Sequence, residues 1–455
     1  MALSLGCFLA MLTRVAKWNL ALQDSYSTTR KAGATRYIFF VIDSPTLTLS
    51  WSGGPLRGTA QLPASKSEAN RALIIQALAG GGTLRNLSDA NDTQLMQRLL
   101  ADSSAETLDA EDAGTVMRFL TAYLAATGRH ATLNGTPRMQ QRPIGVLVDA
   151  LRQLGARIEY ENQDGYPPLR LQGWQPNLAA DEPAELRVRG DISSQYISAL
   201  LMVAPTLPAG LRLWLTGKVG SRPYIRMTLA LMQHFGADCR DLGQVLEVRP
   251  RPYQPTDYTV EADWSAASYW YALVALAPAG SHVTLPGLRR YSWQGDQAIA
   301  GIMARLGVAT EFLADESVRL TQTGVAPEPF TQDFTDCPDL AQTVAVIAAA
   351  LGVPVLMTGL ESLRIKETDR IFALQTELAN FGAHLLEETE GHFRVSTENF
   401  HVGGQTVATY HDHRMAMAFA PLALRGPVSI EAPQVVRKSY PRFWAELEKV
   451  GVKQA

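Results

Sequence analysis

VDALRQLGARI, residues 148–158, is the phrase on which the fold turns. Its apolar residues fall at helical spacing, a glycine follows, and then come a hydrophobic residue and a short strand-like run. A glycine in that place can take the left-handed conformation that closes a helix. The phrase returns as LALMQHFGADC (229–239), AGIMARLGVAT (300–310) and LQTELANFGAHL (374–385), and as AELEKVGV near the last residue. Successive copies stand roughly 70 to 80 residues apart, too far for a solenoid repeat. Each interval has room for several strands and two helices. Strand-like runs bounded by turn residues fill the gaps, among them ATLNG, LRLWLTG, HVTLPGL, VRLTQTG, HFRVSTE and VSIEAP. The pattern predicts a large internal repeat of mixed α/β units, not a βαβ nucleotide fold. Several units in each half would make two domains of similar build, with a seam near TVEADWSAASYW and a binding cleft between them.

The bulk numbers agree with a soluble globular chain. It has 455 residues, 46% hydrophobic and 19% charged, with a net charge of −3. No global basic field invites nucleic acid, so cationic clusters must be local. Cys7, Cys239 and Cys337 are far apart and odd in number, which fits a reducing compartment and excludes a disulfide framework or zinc spacing. The first forty-odd residues differ from the rest. Arg14 and Lys17 follow the apolar start instead of preceding it, and before Asp43 the only acid is Asp24. That composition allows a transit peptide; the plainer expectation is a poorly ordered extension, or a start assigned too early. No later stretch looks transmembrane.

Donor groups gather at helix mouths. LPASKSEANRAL (62–73) places Ser65, Lys66, Ser67 and Arg71 where an apolar helix begins. Either serine can cap it, and the free N–H groups with the added cations suit phosphate or carboxylate. Similar mouths occur in DAGTVMRFL (112–120), PRMQQRPIGVL (137–147), GDISSQYISALLMVAP (190–205), GSRPYIRMTLALM (220–232), SLRIKETDRIFAL (362–374), YHDHRMAMAFAPLAL (410–424) and VRKSYPRFW (436–444). Each alone reads as a cap or a solvated charge. Eight in a net-acidic chain point to a polyanionic ligand. Glu367, between Lys366 and Arg370, would be held ionised and could accept a proton; its plainer reading is an ion-pair partner. Asp339, following Pro338, reads first as a helix cap. HDH at 411–413 has no third metal ligand nearby, and Cys337 reads as a small buried residue. AGGG at 79–82 is a helix exit, not a phosphate cradle.

In this order, the segments LPASKSEANRAL, DAGTVMRFL, RMQQRPI, GDISSQYISALL, SRPYIRMTL, PDLAQT, RIKETDR, DHRMAMAFA and RKSYP resemble the 3-phosphoshikimate 1-carboxyvinyltransferase (EPSP synthase) family, from about Leu56 to the C-terminus. The resemblance implies the enolpyruvyl transferase fold. This is a two-domain inside-out α/β barrel, each domain made of three βαβαββ units, with the cleft between domains. Residues 46–63 with 263–455 would form one domain and 64–262 the other, after an extension over 1–45, with hinges near Pro63 and Asp263. The implied reaction moves the enolpyruvyl group of phosphoenolpyruvate to the 5-hydroxyl of shikimate 3-phosphate and releases phosphate.

By the same resemblance, Lys66, Ser67, Arg71, Ser193, Ser194, Gln195, Ser221, Tyr224, Asp339 and Lys366 would hold shikimate 3-phosphate. Lys66, Gly114, Arg142, Arg370, Arg414 and Lys438 would surround phosphoenolpyruvate. Asp339 and Glu367, assisted by Lys66, would move protons. Neither metal nor organic cofactor is implied, and the family suggests a cytoplasmic monomer whose pocket has room for glyphosate. The chain departs from the family at Asp112, usually Asn; Phe119, often Pro; Glu68, usually apolar; and Ser362, usually Asn. Two rivals share part of the pattern. The sister UDP-N-acetylglucosamine 1-carboxyvinyltransferase usually carries a reactive cysteine in the stretch matching 114–142, where this chain has none. A non-catalytic anion-binding paralogue would fit the departures, but Asp339 and Glu367 are both present.

Overall fold

A computed structural model describes residues 45–175, 182–191 and 193–455. The expected N-terminal extension lies outside the described residues, apart from Pro45. From there, β1 (Thr46–Trp51) and β2 (Arg57–Thr59) lead to α1 (Lys66–Ala79), β3 (Leu84–Arg85) and α2 (Asn91–Ala101). A first contiguous βαβαββ unit follows: β4 (Thr107–Asp109), α3 (Gly114–Ala126), β5 (His130–Asn134), α4 (Gly145–Gln153), β6 (Ala156–Tyr160) and β7 (Leu169–Trp174). A second has β8 (Ala184–Arg189), α5 (Ser194–Val203), β9 (Leu211–Thr216), α6 (Arg222–His234), β10 (Cys239–Asp241) and β11 (Val245–Val248).

Then come β12 (Tyr258–Thr259), α7 (Trp264–Leu276), β13 (His282–Pro286), α8 (Ile299–Ala304), β14 (Val308–Phe312) and β15 (Ser317–Gln322). The third contiguous unit is β16 (Phe330–Asp333), α9 (Ala341–Leu351), β17 (Val355–Thr358), α10 (Arg370–Asn380), β18 (His384–Thr389) and β19 (His392–Ser396). The last elements are β20 (Thr406–Val407), α11 (His413–Phe419), β21 (Val428–Glu431), α12 (Phe443–Lys449) and β22 (Val452–Gln454).

Five four-stranded sheets share one pairing rule. The first two strands run parallel, the fourth lies antiparallel beside the second, and the third closes the edge, as in β4-β5-β7-β6. Two of these sheets draw on distant chain. In β20-β21-β1-β22 the N-terminal strand takes the fourth place, and in β14-β15-β13-β2 a strand from residues 57–59 takes the first. The sixth sheet is only β12 beside β3, so the unit built on α1 and α2 lacks the last strand pair that the resemblance implies.

Each repeated phrase is the second helix and third strand of a unit. The closing glycines Gly155, Gly236, Gly307, Gly382 and Gly451 all have φ between 76° and 103°, where a Cβ would be strained. The first helices differ in kind. Every described residue of α7 except Ser265 is buried, and so is α9 from Ala341 to Ala349. Helices apolar on all sides belong inside. The strands alternate buried and exposed, as in Ala184–Arg189, so the sheets coat a helical interior.

Buried apolar side chains form two cores. One takes residues from Leu49 to Leu62 and from Ala262 to Val452, the other those from Ala64 to Val260. The chain passes between them twice, and the passages are tied together. Ser65 N–H donates to Glu261 O at 2.8 Å, Asp263 N–H to Pro63 O at 2.9 Å, and Ala64 bridges Ala262. Among the described residues no helix is long and apolar enough to cross a membrane.

Candidate active site

The site is assembled from the mouths of the buried helices. At α1 the Ser65 hydroxyl accepts from Glu68 N–H at 3.4 Å, the expected cap. Lys66 N–H points to Asp263 Oδ2 at the mouth of α7, 3.4 Å away, and its ammonium pairs with Asp92 at 3.1 Å. Ser65, Ser67, Tyr224, Asp263, Ser265 and Asp296 line one small cavity between the cores. Arg71 lies behind this mouth, only 2% exposed. Its three nitrogens donate to Thr228 Oγ1 (2.7 Å), Ser67 O (2.7 Å) and Ser198 Oγ (3.0 Å), with the rings of Phe119 and Tyr224 against the guanidinium. Burial pushes its pKa down to about 10. Phe119 therefore has a partner, and α3 runs through it without a break.

At α3 and α5 the pattern is different. Ser193 caps α5 by accepting from Gln195 N–H at 3.3 Å; Ser194, at the first helical position, is buried. Arg118 donates to Gln195 Oε1 at 2.7 Å, and Gln195 donates on to Thr115 Oγ1 at 3.1 Å. A Cβ on Gly114 would stand 2.5 Å from an Arg118 nitrogen and 2.8 and 2.9 Å from two nitrogens of Arg142. Burial, and then the like charge of Arg118, lower the Arg142 pKa. Among the described residues neither arginine has a carboxylate within ion-pair distance. Two guanidiniums facing a bare backbone, one buried and one half-buried, can grip a small anion through bidentate hydrogen bonds.

The core holding α9, α10 and α11 brings carboxylates and cations together. Asp339 meets Arg370 Nη1 and Arg414 Nη2, each at 2.9 Å, and Lys366 Nζ at 3.8 Å. Tyr224 O–H, from the other core, reaches it at 3.4 Å. Arg370 also holds Glu367 at 2.9 Å and Asp412 at 2.7 Å. Burial alone would raise the Asp339 carboxyl, but Arg414, Lys366 and Arg370 outweigh it and hold it far below the carboxylate range. Glu367 is likewise held well down against burial by Arg370, Lys438 and Arg142. Asp339 is thus no cap; it is a half-buried counter-ion. Glu367 is an ion-pair partner in the ionised form. Lys438 contacts Asp112 Oδ2, across the two cores, at 2.5 Å.

Ser221, at the mouth of α6, has a left-handed backbone (φ 54°) and donates its N–H to Thr335 O at 3.0 Å, again between cores. Several other cations of the eight mouths turn away. Arg222 pairs with Asp241, Arg364 with Glu387 and Asp369, and Arg437 is exposed. In HDH the two histidines part, His411 exposed and His413 buried.

A family model described as EPSP synthase (3-phosphoshikimate 1-carboxyvinyltransferase) matches residues 97–447. The chain belongs to the EPSP synthase family. A protein of Bacteroides fragilis named 3-phosphoshikimate 1-carboxyvinyltransferase is 50% identical over 402 residues, covering 87% of this chain and 96% of the relative. One so named from Sodalis glossinidius is 38% identical over 421 residues, covering 86% and 94%. The solved EPSP synthase of Acinetobacter baumannii matches with a TM-score of 0.74 at 20% identity, over 90% of this chain and all of that one. Five sheets of one topology around buried helices are thus the two-domain inside-out α/β fold of EPSP synthases.

Some groups that line the site carry no role in the sequence-based expectations. Arg118 was noted in its motif but given no role, and Asp92, Asp296, Asp412 and His413 went unassigned. Asp296 is 3% exposed, accepts from Ser265 O–H, and has its pKa pushed up to about 7, first by burial and then by Asp339. His413 is 2% exposed, and burial together with Lys66 and Arg414 holds it neutral. The one signal in the sequence is position, since Asp412 and His413 stand at a helix mouth like Lys66 and Ser193.

Proposed function

We propose that this chain transfers the enolpyruvyl group of phosphoenolpyruvate to the 5-hydroxyl of shikimate 3-phosphate, a step of aromatic amino acid biosynthesis. Family membership and the names of its relatives support the reaction. The observation that carries the geometry is the pair Arg118, buried, and Arg142, half-buried, whose guanidiniums stand against the Gly114 backbone with no carboxylate at ion-pair distance among the described residues. Phosphoenolpyruvate is the anion we assign there, with Lys66, Arg370, Arg414 and Lys438 around it. Shikimate 3-phosphate is assigned to Lys66, Ser67, the Ser193–Gln195 mouth, Ser221, Tyr224, Asp339 and Lys366. Arg71, with its donors engaged inside the protein, supports Ser67 from behind.

The ionisation states shape the mechanism. In the free protein Asp339 and Glu367 are both anionic, so both begin as bases. Substrate anions then share Arg370, Arg414 and Lys438, which weakens the pull of these cations on the carboxylates and raises their proton affinity. Addition forms the O5–C2 bond. Asp339 takes the hydroxyl proton, and Glu367, protonated from solvent when the substrates bind, gives its proton to C3, with Lys66 assisting. Elimination returns a C3 proton to Glu367 while the C2–O bond to phosphate breaks; phosphate leaves with the electron pair and takes up the proton held by Asp339. Preorganised cations hold the developing charge, where most of the rate enhancement should lie. The domains, 46–63 with 263–455 and 64–262, close about the two passages, in a monomeric cytoplasmic enzyme.

Phosphate release tests this. Purified protein is given phosphoenolpyruvate with shikimate 3-phosphate, or with UDP-N-acetylglucosamine. Release with the first acceptor alone, reduced at least ~100-fold by Lys66→Ala, is expected. Release with the second, or with neither from folded protein, would overturn the reading.

A further inference from the structure

Lys438 is a buried cation, its side chain 10% exposed, near the end of the chain, and the negative charges of Glu367 and Asp92 favour its ionised form. Its closest contact is nevertheless Asp112, on the turn between β4 and α3 in the other core. Oδ2 lies 2.5 Å from the ammonium and the Asp112 carbonyl 3.3 Å. The Asp112 side chain is 58% exposed, so burial does not force this pairing. Asp112 is two residues before Gly114, whose backbone faces the Arg118 and Arg142 guanidiniums.

The carboxylate that holds Lys438 thus stands two residues from the backbone on which an anion between Arg118 and Arg142 would be seated. We infer that Asp112 sets the affinity for phosphoenolpyruvate as an internal anion, its carboxylate competing with the substrate for Lys438 and linking the two cores until the substrate displaces it. Glu367 and Asp92 keep Lys438 charged without Asp112. An Asn at 112 keeps the carbonyl contact and the shape while removing the competing charge. The inference rests on Lys438 binding phosphoenolpyruvate, as proposed above.

The test is a double-mutant cycle of Asp112→Asn and Lys438→Gln, read as KM for each substrate, with folding checked by thermal melting. Asp112→Asn should lower KM for phosphoenolpyruvate about two- to fivefold, the worth of a half-exposed ion pair, with a smaller change in kcat and in KM for shikimate 3-phosphate. In the Lys438→Gln background the same change should have no effect, and Asp112→Glu should behave like the parent. An unchanged or raised KM in Asp112→Asn overturns the inference alone, provided Lys438→Gln raises KM. An equal fall in both backgrounds also overturns it, because the charge would then act without Lys438. If Lys438→Gln leaves KM for phosphoenolpyruvate unaltered, the placement of Lys438 fails and the inference with it.

Discussion

Three carboxylates share the guanidinium of Arg370: Asp339, Glu367 and Asp412. Removing a buried cation leaves its partners charged and unpaired, which typically costs about 3–5 kcal/mol. Arg370→Met should therefore lose stability of that order in denaturant unfolding as well as turnover. Arg370→Lys should recover little, because one ammonium cannot reproduce the fork. Gly114→Ala tests the other pole. The new methyl must push the Arg118 and Arg142 nitrogens out of their present places, so KM for phosphoenolpyruvate should rise about tenfold, the scale of one charge-assisted hydrogen bond. KM for shikimate 3-phosphate should change less. At this scale the sequence showed Glu367 with Arg370, which are three residues apart at the mouth of α10. It hid the true state of Asp339, whose arginines lie 31 and 75 residues away. A cap and a counter-ion look alike until such distant partners are known.

The recurring helix–glycine–strand phrase was legible at the level of elements because each copy lies half exposed and keeps its period. The glycines that close helices are not all equivalent. At Gly382 a Cβ would meet Asn399 O at 2.3 Å in addition to the strain of φ +76°, whereas at Gly352, with φ +71°, nothing lies within 4 Å. Gly352→Ala should cost about 1 kcal/mol of strain. Gly382→Ala should cost clearly more, and paired thermal melts would show the difference. The first helices carry no such period, since helices buried all round have no polar face. Their place inside the sheets was therefore supplied by the resemblance alone. The shortened unit around α1 went unread because its two strands, Leu84–Arg85 and Tyr258–Thr259, are too short to leave a pattern.

For the whole molecule, the passages between cores carry a buried acid. Glu68 is fully buried, accepts from Tyr258 O–H and from Glu261 N–H at 3.0 Å, and has its pKa raised by burial from an ordinary 4.5 to about 7. Asp296 is raised to about 7 by burial and by Asp339. The folded state then binds more protons than the unfolded one. These groups contribute fully below the unfolded values, and that contribution is lost as pH rises through about 7. Asp339 and Glu367 act oppositely: their contribution is present above the unfolded values and lost as pH falls. Stability should peak in mild acid, and Glu68→Gln should remove about 3 kcal/mol of the decline between pH 5 and 8 in denaturant titrations.

Proton movement at C3 is the central claim about the cleft. The most direct measurement is mass analysis of the product formed in D2O from shikimate 3-phosphate and phosphoenolpyruvate. If C3 gains a solvent proton and then loses one, the enol ether should carry deuterium in its methylene group. Glu367→Gln should abolish both turnover and exchange while still binding phosphoenolpyruvate. A product free of deuterium, or full exchange in Glu367→Gln, would contradict the account.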